Sequence, residues 1–180
     1  MAGWTHNPIY RADNVSIVKS IAKKKGDTFN PPTMPTSSGG VHWLTKGSLK
    51  GFSADGEYEN TFTRCQDLNF SDPKDYEAEC CILIAQEAIE FYCITDPDLD
   101  VEWTGEVHDV AAGESIELSG VQGKRIFIAE DGLVVDGEAK DKHKVLAIES
   151  KDSLTINNAG DINASFAVFY RLSYGIPRLI

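Results

Sequence analysis

The chain has 180 residues, 42% hydrophobic and 25% charged, with a net charge of −11. That is enough for one ordinary domain with a real core, and the acidic balance argues against a nucleic-acid-binding body. No run of about 18 apolar residues is present to form a membrane-spanning helix, and the opening MAGWTHNPIYRADN lacks the apolar stretch of a secretory signal.

Without a signal, the four cysteines (Cys65, Cys80, Cys81 and Cys93) are expected as reduced, mostly buried thiols. Charge is unevenly spread. Residues 1–50 carry seven Lys/Arg against two Asp/Glu, whereas residues 51–180 carry ten against 26. A basic leading segment can be plain solvated surface, can dock on an acidic partner, or can fold back onto its own acidic body.

In chain order, residues 1–12 mix Gly, Pro and polar residues around Trp4, Ile9 and Tyr10. Asn14 suits the cap of a short helix over residues 15–25, with Val15, Val18, Ile21 and Ala22 on one face. Lys23, Lys24 and Lys25 then fall in its last turn, where cations suit the helix dipole, and Gly26 follows as a stop. A strand through Val15 and Ile17 competes with this helix. FNPPTMPTSSGG, residues 29–40, contains three prolines and reads as an extended linker. Residues 1–40 are therefore expected to form an extended basic arm, and residues 41–180 a domain that folds without it.

From residue 41 the texture turns to short β-rich runs. VHWL (41–44) and EYENTFTR (57–64) suit strands, the second after an Asp55–Gly56 turn. Residues 71–78 carry a helix-start signal with Pro73 at its first position. CCILIA and AIEFYCIT are rich in β-favouring residues, although runs this short fit both periods. VEWTGEV (101–107), ESIELS (114–119), KRIFIAE (124–130), LVVD (133–136), KVLAIE (144–149), DSLTIN (152–157) and ASFAVFYRL (164–172) continue as strands. AAGE, GVQG, EDG and NNAGD supply the reversals. The expected class is all-β: a jelly-roll-like β-sandwich with an extended N-terminal arm and a short helix.

Candidate chemistry is sparse. A metal-dependent cupin needs two or three histidines and a carboxylate on one ion, usually with HxH spacing. Here His6, His42, His108 and His143 are isolated, and although His108, His143 and Glu106 can converge, no spacing demands it; no metal or other cofactor is expected. Asp96, Asp98 and Asp100 alternate as in calcium loops, but Val101 and Val107 occupy the positions where an EF-hand needs Gly and Glu. No nucleophile elbow is present, and GVQGK is too short for a phosphate loop. Trp43, Trp103 and Phe62 suit a sugar platform, but a buried core accounts for them better.

An all-β body behind a basic, proline-rich arm resembles the capsid decoration proteins of tailed bacteriophages. The resemblance rests on residues 1–50 and on the runs GESIELSGVQGKRIFIAEDGLVVDG and SLTINNAGDINASFAVFYRL. It implies a noncatalytic homotrimer, made in the host cytoplasm and located on the virion surface, that binds the major capsid protein. Trp4, Ile9, Tyr10, Arg11, Lys19, Lys23, Lys24, Lys25, Phe29 and Met34 would make that contact. A receptor- or glycan-binding module of a phage tail or fibre is the alternative.

Overall fold

A computed structural model describes residues 3–29, 41–52, 59–65, 82–95 and 102–172, and every helix or strand among them is a strand. The first eight are β1 (Trp4–Ala12), β2 (Val15–Ala22), β3 (Thr28–Phe29), β4 (Val41–Lys46), β5 (Leu49–Phe52), β6 (Glu59–Phe62), β7 (Ile82–Ala85) and β8 (Ile89–Thr95). The second eight are β9 (Glu102–Val110), β10 (Ser115–Ser119), β11 (Arg125–Ile128), β12 (Leu133–Val135), β13 (Glu138–Ala139), β14 (Val145–Ala147), β15 (Ser153–Asn158) and β16 (Ala164–Leu172).

These strands build four antiparallel sheets, two from each half of the chain. The first half gives β1-β2-β8-β4 and β3-β7-β5-β6; the second gives β14-β11-β16-β9 and β10-β15-β12-β13. The two halves repeat one plan. Leaving aside the extra edge strand β1, in each half the last long strand (β8, β16) lies between an early one (β2, β9) and a middle one (β4, β11), and the second sheet follows the same order, β3-β7-β5-β6 matching β10-β15-β12-β13. The jelly-roll-like sandwich expected from the sequence is present, in two copies.

Alternation along the strands sorts side chains into three cores. Leu44, Leu49, Ala85, Ile89, Phe91 and Cys93 fill the first sandwich. Ile126, Ile128, Leu154, Ile156, Phe166 and Val168 fill the second. A third core joins the halves, with Ile17, Trp43, Tyr92 and Ile94 on one facing sheet and Phe127, Ala167 and Phe169 on the other. On β8, Phe91 and Cys93 point into their own sandwich while Tyr92 and Ile94 point at the other half; β16 does the same with Phe166 and Val168 against Ala167 and Phe169. Both strands are apolar on both faces, which explains their unbroken hydrophobic runs. Within the second half's facing sheet, β9 needs Gly105 beside β16, where a Cβ would stand 2.2 Å from the Val168 carbonyl oxygen.

Polar groups tie the seam. Trp43 Nε1 donates to Ser165 Oγ at 3.4 Å, Tyr92 Oη to the Ala129 carbonyl at 3.2 Å, and Trp103 Nε1 to the Asn14 carbonyl at 3.1 Å. Arg64 donates to Asp109 at 2.8 Å and Glu130 at 2.7 Å across the seam, and also to the Thr45 and Asn163 carbonyls. These three rings thus each meet an acceptor from the opposite half.

The helix expected over residues 15–25 is instead β2. Asn14 does not cap a helix: Asp13 (φ 50°) and Asn14 (φ 60°) form the two-residue turn of a β1–β2 hairpin, a turn that needs positive φ at both central positions. The period of two through Val15 and Ile17 wins because both side chains are fully buried in the joining core. The Lys23–Lys25 run lies in the turn after β2, where the Asp27 carboxylate accepts the N–H groups of Lys23 and Lys24 at 3.2 Å. Hairpin residues 4–22 are therefore paired into a sheet, with β2 against β8, rather than extended as an arm. The proline-rich segment, the Asp55–Gly56 turn and the helix start at residues 71–78 fall outside the described residues.

Candidate ligand site

A metal in a jelly-roll interior would need converging donors, and among the described residues the donors there do not converge on one. In the second sandwich, His108 and Glu106 share one face of β9, opposite Phe166 and Val168, but the Glu106 side chain is 66% exposed. His108 stacks on Phe166 at 5.0 Å and its Nε2 lies 3.9 Å from Glu106, with no third donor grouped with them among the described residues. Burial lowers the His108 pKa, against the opposing pull of Glu106. His143 is elsewhere, in the seam, with Nε2 2.9 Å from Tyr92 Oη. Among the described residues no three His, Cys, Asp or Glu side chains are grouped to hold an ion. Asp96, Asp98 and Asp100 lie outside the described residues.

The first sandwich holds His42, opposite Cys93 and stacked on Phe91 at 6.3 Å. Burial pushes its pKa down to about 4. The free thiols of Cys65 and Cys93 are both pushed up to about 12, chiefly by burial, and so stay protonated and poorly nucleophilic. Cys80 and Cys81 lie outside the described residues.

His42 makes the fold acid-sensitive in a defined window. The unfolded ring takes its proton near pH 6.5 and the folded ring only near 4, so acid favours the unfolded chain. This contribution is whole above pH 6.5, is lost as pH falls from 6.5 to about 4, and is flat below. Because His42 keeps an exposed edge, we expect the loss to be about 2 kcal/mol, less than the full shift implies. Urea unfolding at pH 7 and pH 4.5 checks it: the His42→Phe variant should lose less stability between the two than the wild type. An equal loss in both proteins contradicts the assignment.

Among the described residues, a cavity of about 430 Å³ lies beside β14 in the second half. Its floor is aliphatic: Val135 and Leu154 belong to the second core, and Leu146 and Ile148 pack against it. Its rim is charged, with Asp136, Glu138 and Glu149 against Lys140 and Lys151. Lys151 pairs with Asp136 and Lys140 with Glu138, each at 2.6 Å. Lys151 and the Thr155 N–H hold Asp136 below the usual carboxylate range, and Lys140 holds Glu138 there. No ion pair to Glu149 is found among the described residues, which leaves the rim one uncompensated negative charge. The site forms because β14 is a short edge strand, three residues long, that leaves the sandwich open beside the following turn. The alternation in KVLAIE marks Leu146 and Ile148 as inward; the gap beside them has no signature in the sequence.

The residues expected to contact a capsid are spread over the hairpin without converging. Trp4 packs against the first core, and Ile9 and Tyr10 against the joining core. Lys19 pairs with Glu90 at 2.7 Å and lies over the Tyr92 ring. Burial works against ionisation of Glu90, but Lys19 outweighs it and lowers the carboxyl's pKa. Arg11, Lys23, Lys24 and Lys25 are exposed. Phe29 lies in β3, its side chain undescribed, and Met34 is outside the described residues. Trp43, Trp103 and Phe62 are buried core residues and form no exposed platform.

No family model matches the chain, and no curated protein matches it in sequence. Its fold does have solved counterparts. PA5104, a conserved protein of unknown function from Pseudomonas aeruginosa PAO1, superposes with a TM-score of 0.58 at 12% identity, over 96% of this chain and 90% of that one. HutD from Pseudomonas fluorescens SBW25 gives 0.53 at 16% identity, over 96% and 90%. The bacterial pirin YhhW from Escherichia coli, solved in complex with nickel(II), gives 0.53 at 10% identity, over 92% and 90%. These are cupin-fold proteins, and the likeness establishes a cupin-like jelly-roll fold. It overturns the resemblance to phage decoration proteins, and with it the capsid-stabilising function and the major capsid protein as partner. That reading rested on an extended arm, and the hairpin has replaced the first half of that arm.

Proposed function

We propose that this protein binds a small molecule in the cavity beside β14, without catalysing its conversion. The carrying observation is the pairing of an aliphatic floor with a charged rim in about 430 Å³, the size and make-up of small-ligand pockets. The cupin-like fold supports the reading, since such sandwiches commonly house ligands between their sheets. The ligand fits as an aliphatic body with an ammonium or zwitterionic head: the floor takes the body and Glu149 takes the positive group. Turnover has little support: the described thiols stay protonated, no three described His, Cys, Asp or Glu side chains are grouped to hold an ion, and His6, 2.7 Å from the Ser20 hydroxyl, meets a side chain buried in β2 that does not line the cavity.

Thermal unfolding with straight-chain diamines and ω-amino acids tests the proposal. A probe at 100 times its Kd stabilises by about 2.7 kcal/mol, which raises Tm by roughly 5–10 °C in a domain of this size. Leu146→Trp fills the floor and should abolish the shift. Ser150→Trp does the same from an exposed turn, so a folding defect in the first variant leaves the test intact. An unchanged Tm with every probe, or a shift that survives both variants, contradicts the proposal.

A further inference from the structure

A second cleft, of about 370 Å³, lies at the end of the seam, between the Asp13 turn of the hairpin and the β10–β11 turn. In a chain of net charge −11 it is conspicuously basic: Lys124, Arg125 and Arg171 line it, with Asp13 as its sole acid. Two aromatic rings share it. The Arg125 guanidinium lies over Trp103 at 5.3 Å, and the Lys124 ammonium over Tyr170 at 5.3 Å. Trp103 is locked by its hydrogen bond to the hairpin turn, whereas Tyr170 is 38% exposed, one of two large apolar side chains so exposed among the described residues.

Among the described residues, Arg125 has one long ion-pair contact, to the exposed Asp13, and an unsatisfied buried nitrogen. Its Nη1 is buried and has no hydrogen-bond partner, and its Nη2 is 3.8 Å from the Asp13 carboxylate, beyond hydrogen-bond reach. A buried charged donor left unsatisfied is destabilising. Such a donor is usually met by water, an ion or a ligand. A planar guanidinium pinned on an indole face presents its N–H groups in the fork that carboxylates and phosphates accept in bidentate fashion. Lys124 adds a second cation, and the exposed Tyr170 ring offers a flat apolar wall.

From the cleft, its cations and the orphaned Arg125 donor, we infer a binding site for an oxyanion-bearing small molecule at the junction of the two halves. The site is separate from the cavity beside β14. Arg125 is the specificity-determining residue, Lys124 strengthens attraction, and Tyr170 favours an anion carried on a flat ring.

The test follows the Trp103 indole N–H in two-dimensional NMR spectra, assigned by its loss in Trp103→Phe, at constant ionic strength. The probes are inorganic phosphate and benzoate, which separate a phosphate source from an aromatic carboxylate. We expect a saturable shift of the Trp103 signal with at least one probe, weakened tenfold or more in Arg125→Gln and about threefold in Lys124→Gln. Arg11→Gln, an exposed arginine outside the cleft, should leave it unchanged. If Arg125→Gln fails to fold, Arg125→Lys keeps the charge and removes the fork, and should still weaken binding severalfold. A shift that does not saturate, or that is equally strong in the Arg125 and Lys124 variants, overturns the inference.

Discussion

Deleting residues 1–22 is expected to abolish the cooperative unfolding transition and leave an aggregating chain. The hairpin supplies part of one side of the joining core: Val15 and Ile17 are fully buried there against the other half. Its removal would uncover the whole length of β8, whose register with β2 runs from Ser16↔Thr95 to Ala22↔Ile89. A long bare edge next to an apolar face invites pairing between chains. The milder variant Ile17→Ala should lose about 2–5 kcal/mol, as truncations of fully buried aliphatics do. Chemical denaturation followed by circular dichroism measures both. A deletion variant that unfolds cooperatively near the wild-type midpoint would show that the second half and the remainder of the first are self-sufficient.

The second large effect centres on Trp43. Its ring is fully buried, stacked on Tyr92 at 5.4 Å and edge-on to Phe127 at 6.0 Å across the seam. Trp43→Ala empties the middle of the joining core and should cost about 3–5 kcal/mol, because surrounding sheets collapse only partly into a cavity. Trp43→Phe retains most of the aromatic contact but removes the indole donor to Ser165 Oγ, and should cost about 1–2 kcal/mol. Urea melts with unchanged slope and lowered midpoints are the expected readout. A loss below 1 kcal/mol in Trp43→Ala would mean that the two halves are stable without their shared core.

The second half was the more legible part of the fold. Strict alternation in ESIELS and DSLTIN, with Gly or Asn at the reversals, placed β10 and β15 almost residue for residue. The hairpin was harder to read. Asn14 followed by Val15, Val18, Ile21 and a lysine run satisfies helix rules locally, and only the burial of Val15 and Ile17 against the other half decides for a strand. The tandem plan was not legible, because equivalent strands such as IEFYCIT and ASFAVFYRL share a burial pattern rather than residues. The available signal was that both runs are apolar on both faces, which a single sandwich with one solvated face per sheet does not require. The charge contrast between residues 1–50 and the rest pointed outward to a partner, yet Lys19 spends its charge on Glu90 within the chain. The ligand cavity depends on where the edge strand β14 stops, and the Arg125 cleft on a hairpin turn brought against β9. Both are tertiary facts, without a local pattern to announce them.

Small-molecule binding beside β14 is tested most directly by methyl NMR of Val135, Leu146, Ile148 and Leu154 during titration with 1,4-diaminobutane, 5-aminopentanoate and pentanoate. The account predicts saturable shifts of these four residues with the diamine or the amino acid, weaker shifts with pentanoate, and little change in the methyls of the first sandwich. Silence at all four, or shifts confined to other parts of the molecule, would contradict it.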